Sequence, residues 1–233
     1  MMDCSFEPLG DRAIMIEAAA EIGPEAQIRV RLITAALEAE SPAWMTGFIP
    51  AYTTVAVFYD PLALNFKEAE QELASLLSRA SEDRLPEVRT VEIPVCYGGE
   101  FGPDLPFVAR HNGLTEQEVI DFHTGGDYSV HMIGFAPGFP FIGGMPSEIA
   151  APRRETPRLR IPERTVGIAG GQTGVYPIET PGGWRLIGRT PIRLFLPEQD
   201  IPSLLRAGDR IVFRQIGTEE YREMEENAHA HRP

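Results

Sequence analysis

Apolar and polar positions first follow a strand period, then a helical one, and then repeat. Phe6 to Ala18 alternates around Leu9-Gly10-Asp11, with Ile14 and Ile16 opposite Ala13, Met15 and Glu17, which predicts a strand or short hairpin. Pro24 opens a helix in which Ile28, Leu32, Ala35, Ala36 and Ala39 recur near helical spacing until Ser41-Pro42 stops it. Trp44 to Ile49 and Thr53 to Tyr59 read as strands, the second rich in β-branched and aromatic residues and ended by Asp60-Pro61. Asn65 with Glu68 forms a capping box for a second helix whose inner face is Phe66, Ala69, Leu73, Leu76, Leu77 and Ala80. Residues 1–85 are therefore expected to form an α/β sandwich domain.

Ser81 to Glu87 is polar, contains Pro86 and reads as a linker. An alternating strand follows from Val88 to Tyr97. Asp104 is placed to cap a short helix that has Pro106 in its first turn and ends at Asn112-Gly113, and Thr115 with Glu118 starts another that runs through His123. From Tyr128 onward the rhythm becomes short β segments between Gly and Pro: 165–169, 174–178, 184–187, 192–196 and 210–215. Such spacing predicts a β-barrel domain over residues 86–217 and an α+β chain as a whole. Residues 218–233 form a charged tail without an apolar face, expected as a frayed helix or disordered, with His229 and His231 exposed to solvent rather than binding metal.

Charge alters this picture more by distribution than by total. The chain carries net −13, which disfavours nonspecific nucleic-acid binding, yet Arg outnumbers Asp and Glu between Val130 and Arg214. A basic segment on an acidic protein suits an anionic small molecule, an acidic partner patch or plain surface ion pairing. Lys67 is the sole lysine, so a phosphate loop ending in Gly-Lys-Ser/Thr is excluded. Cys4 and Cys96 stand in no metal-ligand spacing and read as reduced thiols; with no signal-like N-terminus and no long apolar run, a cytoplasmic protein is expected, with no membrane span and no metal site.

Candidate chemistry gathers between His131 and Arg193. Gly134-Phe135-Ala136-Pro137-Gly138-Phe139-Pro140-Phe141 offers either a rigid aromatic wall or a barrel corner whose rings fill the core. Arg153, Arg154 and Arg158, with Arg160 and Arg164 nearby, present planar forks suited to carboxylate or phosphate, the alternative being a solvated loop. Gly170-Gly171-Gln172-Thr173-Gly174-Val175-Tyr176 has the composition of an N–H-rich turn that could cradle an anion, with Gln172, Thr173 and Tyr176 adding side-chain hydrogen bonds. Gly182-Gly183-Trp184 makes a second tight turn, its tryptophan a stacking wall or a core plug. His123 is the best general-base candidate, although a histidine at a helix C-terminus also has structural uses. His111 reads as a cap-region residue and Cys96 as a small buried hydrophobe.

The strings GFAPGFPFIGG, APRRETPR, GIAGGQTGVYP and TPGGWRLIGRTP, in that order, resemble the family of B-type 5-oxoprolinase subunits, also described as allophanate hydrolase subunit 1 or the kinase-A inhibitor family. CYGGEFGPDL, NGLTEQEV and AGDRIVF extend the resemblance over most of residues 90–214. It implies a cyclophilin-like barrel behind the N-terminal domain, and ATP-dependent opening of 5-oxo-L-proline to L-glutamate with C-type and A-type partner subunits. Phosphorylating the lactam oxygen would make a resonance-stabilised amide open to water, which gives ATP, with Mg2+ bound in the complex, its place. In this assignment Arg153, Arg154 and Arg158 clamp anions, Gln172, Thr173, Tyr176, Gly182, Gly183 and Trp184 position substrate or nucleotide, and His123 is the acid–base group. The resemblance also admits an inhibitor that binds a sensor histidine kinase, and half of an amide or urea carboxyltransferase. A cyclophilin-like fold alone does not carry prolyl isomerisation with it.

Overall fold

The computed structural model describes residues 4–230 apart from 82 and 84; His231 and the side chain of His229 fall outside the described residues. The chain forms two compact units, one up to residue 88 and one from 89 on.

The first unit contains β1 (Ser5–Pro8), β2 (Ala13–Glu17), α1 (Pro24–Glu40), β3 (Met45–Pro50), β4 (Thr54–Tyr59) and α2 (Phe66–Ser78). Its strands form one antiparallel sheet in the order β1-β2-β4-β3. The alternation in β2 and β4 turns Ile14, Ile16, Val55 and Val57 to one face, where they pack with Ile33 and Leu37 of α1 and Leu73 and Leu77 of α2. The capping box forms: the Asn65 side chain accepts the Glu68 N–H, and the Glu68 carboxylate accepts the Asn65 N–H at 2.8 Å.

The second unit begins with β5 (Thr90–Tyr97), α3 (Leu105–Asn112) and α4 (Glu116–Thr124). Then come β6 (Tyr128–Ile133), β7 (Pro140–Gly143), β8 (Arg158–Ile161), β9 (Thr165–Ala169), β10 (Gln172–Val175), β11 (Thr180–Gly182), β12 (Arg185–Arg189), β13 (Arg210–Gln215) and α5 (Thr218–Ala230). Seven strands close a barrel in the order β10-β7-β6-β13-β5-β12-β9, and β8 pairs with β11 as a separate two-stranded flap. Closure depends on β13, which lies parallel to β5 on one side and antiparallel to β6 on the other. The chain is thus α+β, a layered helix-and-sheet unit followed by a barrel.

Three expectations change. Residues 192–196 form no strand: Pro191 and Pro197 flank them, and only an isolated Phe195–Ser203 bridge forms. The strand expected at 174–178 starts earlier, because Gly170-Gly171 is the two-residue tip of a hairpin whose last pair is Ala169 with Gln172. The charged tail is a helix with an inner side: Tyr221 of α5 is 2% exposed against Cys96 and Ile216, and Glu225 meets Arg164 at 2.6 Å.

Candidate functional site

Gly167 of β9 and Gly174 of β10 face each other across the ladder. A Cβ on Gly174 would stand 3.1 Å from Trp184 and 3.2 Å from Phe139, and one on Gly167 would stand 3.2 Å from Trp184. The two glycines therefore form a bare shelf on which aromatic rings rest directly against backbone. Phe139 meets Tyr176 and Trp184 edge to face, with centroids 5.3 and 5.6 Å apart. These rings, with Phe141, make the floor of a groove of about 400 Å3, within the size range of small-molecule sites. Arg153, Arg154 and Pro157 form one part of its lining, the Pro181-Gly182-Gly183 turn another, and Phe135 a third. Gly182 lies flush on the floor, since a Cβ there would come 2.5 Å from the Tyr176 hydroxyl.

The arginines are organised by Asp104. Its carboxylate, 5% exposed, accepts two bonds from the Arg158 fork at 2.8 and 3.0 Å and the Leu186 N–H at 2.8 Å, with Arg154 at 3.5 Å. Burial would raise this carboxyl, but the Arg158 fork, the Leu186 N–H and the charges of Arg158 and Arg154 outweigh it and hold it below the ordinary carboxylate value. The Arg154 N–H donates to the Gly183 carbonyl at 2.7 Å, and Arg185, stacked over Phe107 at 3.5 Å from the ring centroid, holds the Pro152 carbonyl at 3.0 Å. The arginine loop is thus tied at both ends. Arg153 is exposed and has no ion pair among the described residues. Burial pushes the Tyr176 hydroxyl up to about 12, against the pull of the Trp184 N–H and of the Arg153 and Arg158 charges.

Of the residues chosen from sequence, Arg153, Arg154, Tyr176, Gly182, Gly183 and Trp184 come together at this groove. Arg158 does not line it; its fork is spent on Asp104. Gln172 and Thr173 lie on β10, and Thr173 is fully buried. At the Gly170-Gly171 turn the Gly170 N–H donates to the Ala151 carbonyl at 2.8 Å, and neither glycine lines the groove. His123 is likewise no acid–base group of the groove. It is fully buried among residues of β5, β6, β10 and β13, and burial pushes its pKa down to about 3. The Thr173 hydroxyl donates to the Gly167 carbonyl at 3.1 Å, so it accepts from His123 Nε2–H at 2.9 Å, and Nδ1 accepts the Tyr97 O–H at 2.7 Å. Asp104, expected from its position as a helix cap, makes no side-chain cap bond. The one clue was a cluster of arginines with few carboxylates nearby to balance it.

Residues 4–205 match the family model for the carboxyltransferase domain, subdomain C and D. The chain is 49% identical to the B-type 5-oxoprolinase subunit of Bacillus subtilis, over 96% of this chain and 97% of that protein. Among solved structures, the protein PH0987 from Pyrococcus horikoshii is 46% identical over 93% of this chain and all of its own, with a TM-score of 0.57. The protein TTHA0988 is 35% identical over 88% of this chain, with a TM-score of 0.77, and this chain spans 40% of its length.

Proposed function

The chain belongs to the B-type 5-oxoprolinase subunits, a family of carboxyltransferase subdomain C and D proteins, and on that premise we propose that it is the B-type component of an ATP-dependent 5-oxoprolinase. The reaction opens 5-oxo-L-proline to L-glutamate in a cytoplasmic complex with C-type and A-type subunits. The observation that carries this reading is the near full-length identity with the Bacillus subtilis protein. The groove supports it. A small ring acid needs an apolar surface for the ring and a fork for the carboxylate, and the aromatic floor with Arg153 and Arg154 supplies both. Gly182 and Gly183 bring backbone to the edge of the same surface. No helix among the described residues is long and apolar enough to cross a membrane.

ATP supplies the phosphoryl group that activates the lactam oxygen. What this chain's second unit offers an anion is arginine and backbone, since Lys67 lies in the first unit. Mg2+ would enter the assembled complex on the nucleotide phosphates.

The test is 5-oxoproline-dependent ADP release from this chain mixed with its C-type and A-type partners. Release from the complete mixture is expected, and Arg153→Ala is expected to raise KM for 5-oxoproline at least about tenfold. No release from the complete mixture sinks the reading. The family model's own name favours one second reading, half of an amide or urea carboxyltransferase, whose sign would be carboxylation of urea by the chain together with the other carboxyltransferase half, a biotin carboxylase and a carrier.

A further inference from the structure

Phe135 stands at the mouth of the groove under two conditions that proteins usually avoid. Its φ is 68°, a left-handed backbone that a bulky L side chain rarely adopts, and its ring is 69% exposed. The Ala136 N–H donates to the Gly134 carbonyl at 2.8 Å, closing a three-residue turn around Phe135 whose positive-φ form is rare and strained. A second turn follows at once, with Phe139 N–H on the Ala136 carbonyl at 3.0 Å around Pro137 and Gly138, the latter at φ 75°. Gly134 N–H on the Phe139 carbonyl at 3.0 Å closes the base of the loop, and Gly138 is pressed to Phe195, 3.1 Å from where a Cβ would stand. Phe135 is thus held in its conformation from both sides. At position 138 glycine meets the left-handed backbone, whereas position 135, with the same sign of φ, carries phenylalanine.

A ring left mostly in water contributes little to the fold, so the strain has no return inside the free chain. The ring meets Phe139 of the groove floor edge-on, with centroids 5.5 Å apart. Arg153, which has no ion pair among the described residues, lines the same groove, and Arg154 is held to Asp104 only at 3.5 Å. We propose that Phe135 is the lid ring of the groove, a specificity-determining contact that covers the apolar ring of a small organic anion whose charge lies on Arg153. The assignment of the groove as a substrate site underlies this proposal; the occupant's chemistry follows from an aromatic floor beside an unpaired guanidinium.

The experiment uses the whole chain and 1-anilinonaphthalene-8-sulfonate, an aryl anion followed by its own fluorescence, with thermal melts of each variant. Wild type and Phe135→Tyr should bind the probe alike, whereas Phe135→Ala, Phe135→Gly and Arg153→Ala should each weaken it about tenfold. Phe135→Gly should melt no lower than wild type and about 2–4 °C above Phe135→Ala, because only glycine relieves the left-handed backbone. Probe affinity unchanged in Phe135→Ala and Phe135→Gly overturns the proposal, as does affinity insensitive to Arg153→Ala or absent in wild type. A Phe135→Gly protein that melts well below wild type also overturns it, since the ring would then be structural. The probe needs neither ATP nor other subunits. An inactive complex whose groove still depends on Phe135 rejects the 5-oxoprolinase reading alone, and an active complex indifferent to Phe135 rejects the lid alone.

Discussion

His123 projects from α4 into the barrel with both ring nitrogens committed, to Tyr97 and Thr173, and with Tyr128 and Phe213 against its faces. Burial alone lowers its pKa from 6.5 to about 3. The unfolded chain takes up this proton below about pH 6.5, whereas the folded one does not until near pH 3. The neutral ring's contribution is therefore complete above pH 6.5 and is lost as pH falls toward 3, at up to about 1.4 kcal/mol per pH unit. Urea midpoints should fall between pH 7 and pH 5, and His123→Asn, weaker at pH 7, should lose most of that slope. A smaller slope persists from His131, whose pKa burial also lowers. An unchanged slope in the variant would show that the histidine does not cause it. Arg158 carries the complementary prediction. Arg158→Lys keeps the charge but cannot fork onto Asp104, so it should cost about 1–3 kcal/mol in urea unfolding and alter aryl-anion affinity less than Arg153→Ala does. An anion-binding loss equal to that of Arg153→Ala, with stability intact, would return Arg158 to the clamp.

At the scale of elements, the aromatic floor depends on what β9 and β10 lack. Gly174→Ala would push a methyl against the Pro140 carbonyl at 3.0 Å and Trp184 at 3.1 Å, so it should destabilise the barrel by about 1–3 kcal/mol and shift Trp184 emission; equal stability would mean the rings are free to retreat. Both capping boxes, the alternation of β2 and the β-branched run of β4 were legible, because their signals lie within a few residues of one another. Arg153, Arg154 and the Gly182-Gly183-Trp184 turn were legible as candidates, and the structure gathers them on one groove. The glycine shelf was not, because Gly167 and Gly174 show their purpose only once the hairpin register sets them opposite each other and brings Trp184 over them. Asp104 escaped for a similar reason: 54 positions separate it from Arg158, and a residue before a helix reads as a cap. The inner side of α5 escaped because Tyr221 and Met224 make a narrow seam rather than a wide apolar stripe.

For the whole molecule, the division of the core decides what can be separated. The cluster around Ile14, Val55 and Leu73 lies wholly in the first unit, while the barrel core and the groove floor draw only on residues after 89. Every residue lining the groove also belongs to the second unit. A chain starting at residue 89 should therefore fold alone, with one cooperative melt and aryl-anion binding that still depends on Arg153 and Phe135. That binding should weaken with added salt, because the guanidinium is exposed and screening acts within about 10 Å at 0.1 M ionic strength. Circular dichroism melts and probe titration of the fragment check both points. A fragment that folds but has lost the probe would show that the groove needs the first unit, and with it the proposal that residues 89 onward hold the whole anion site would fail.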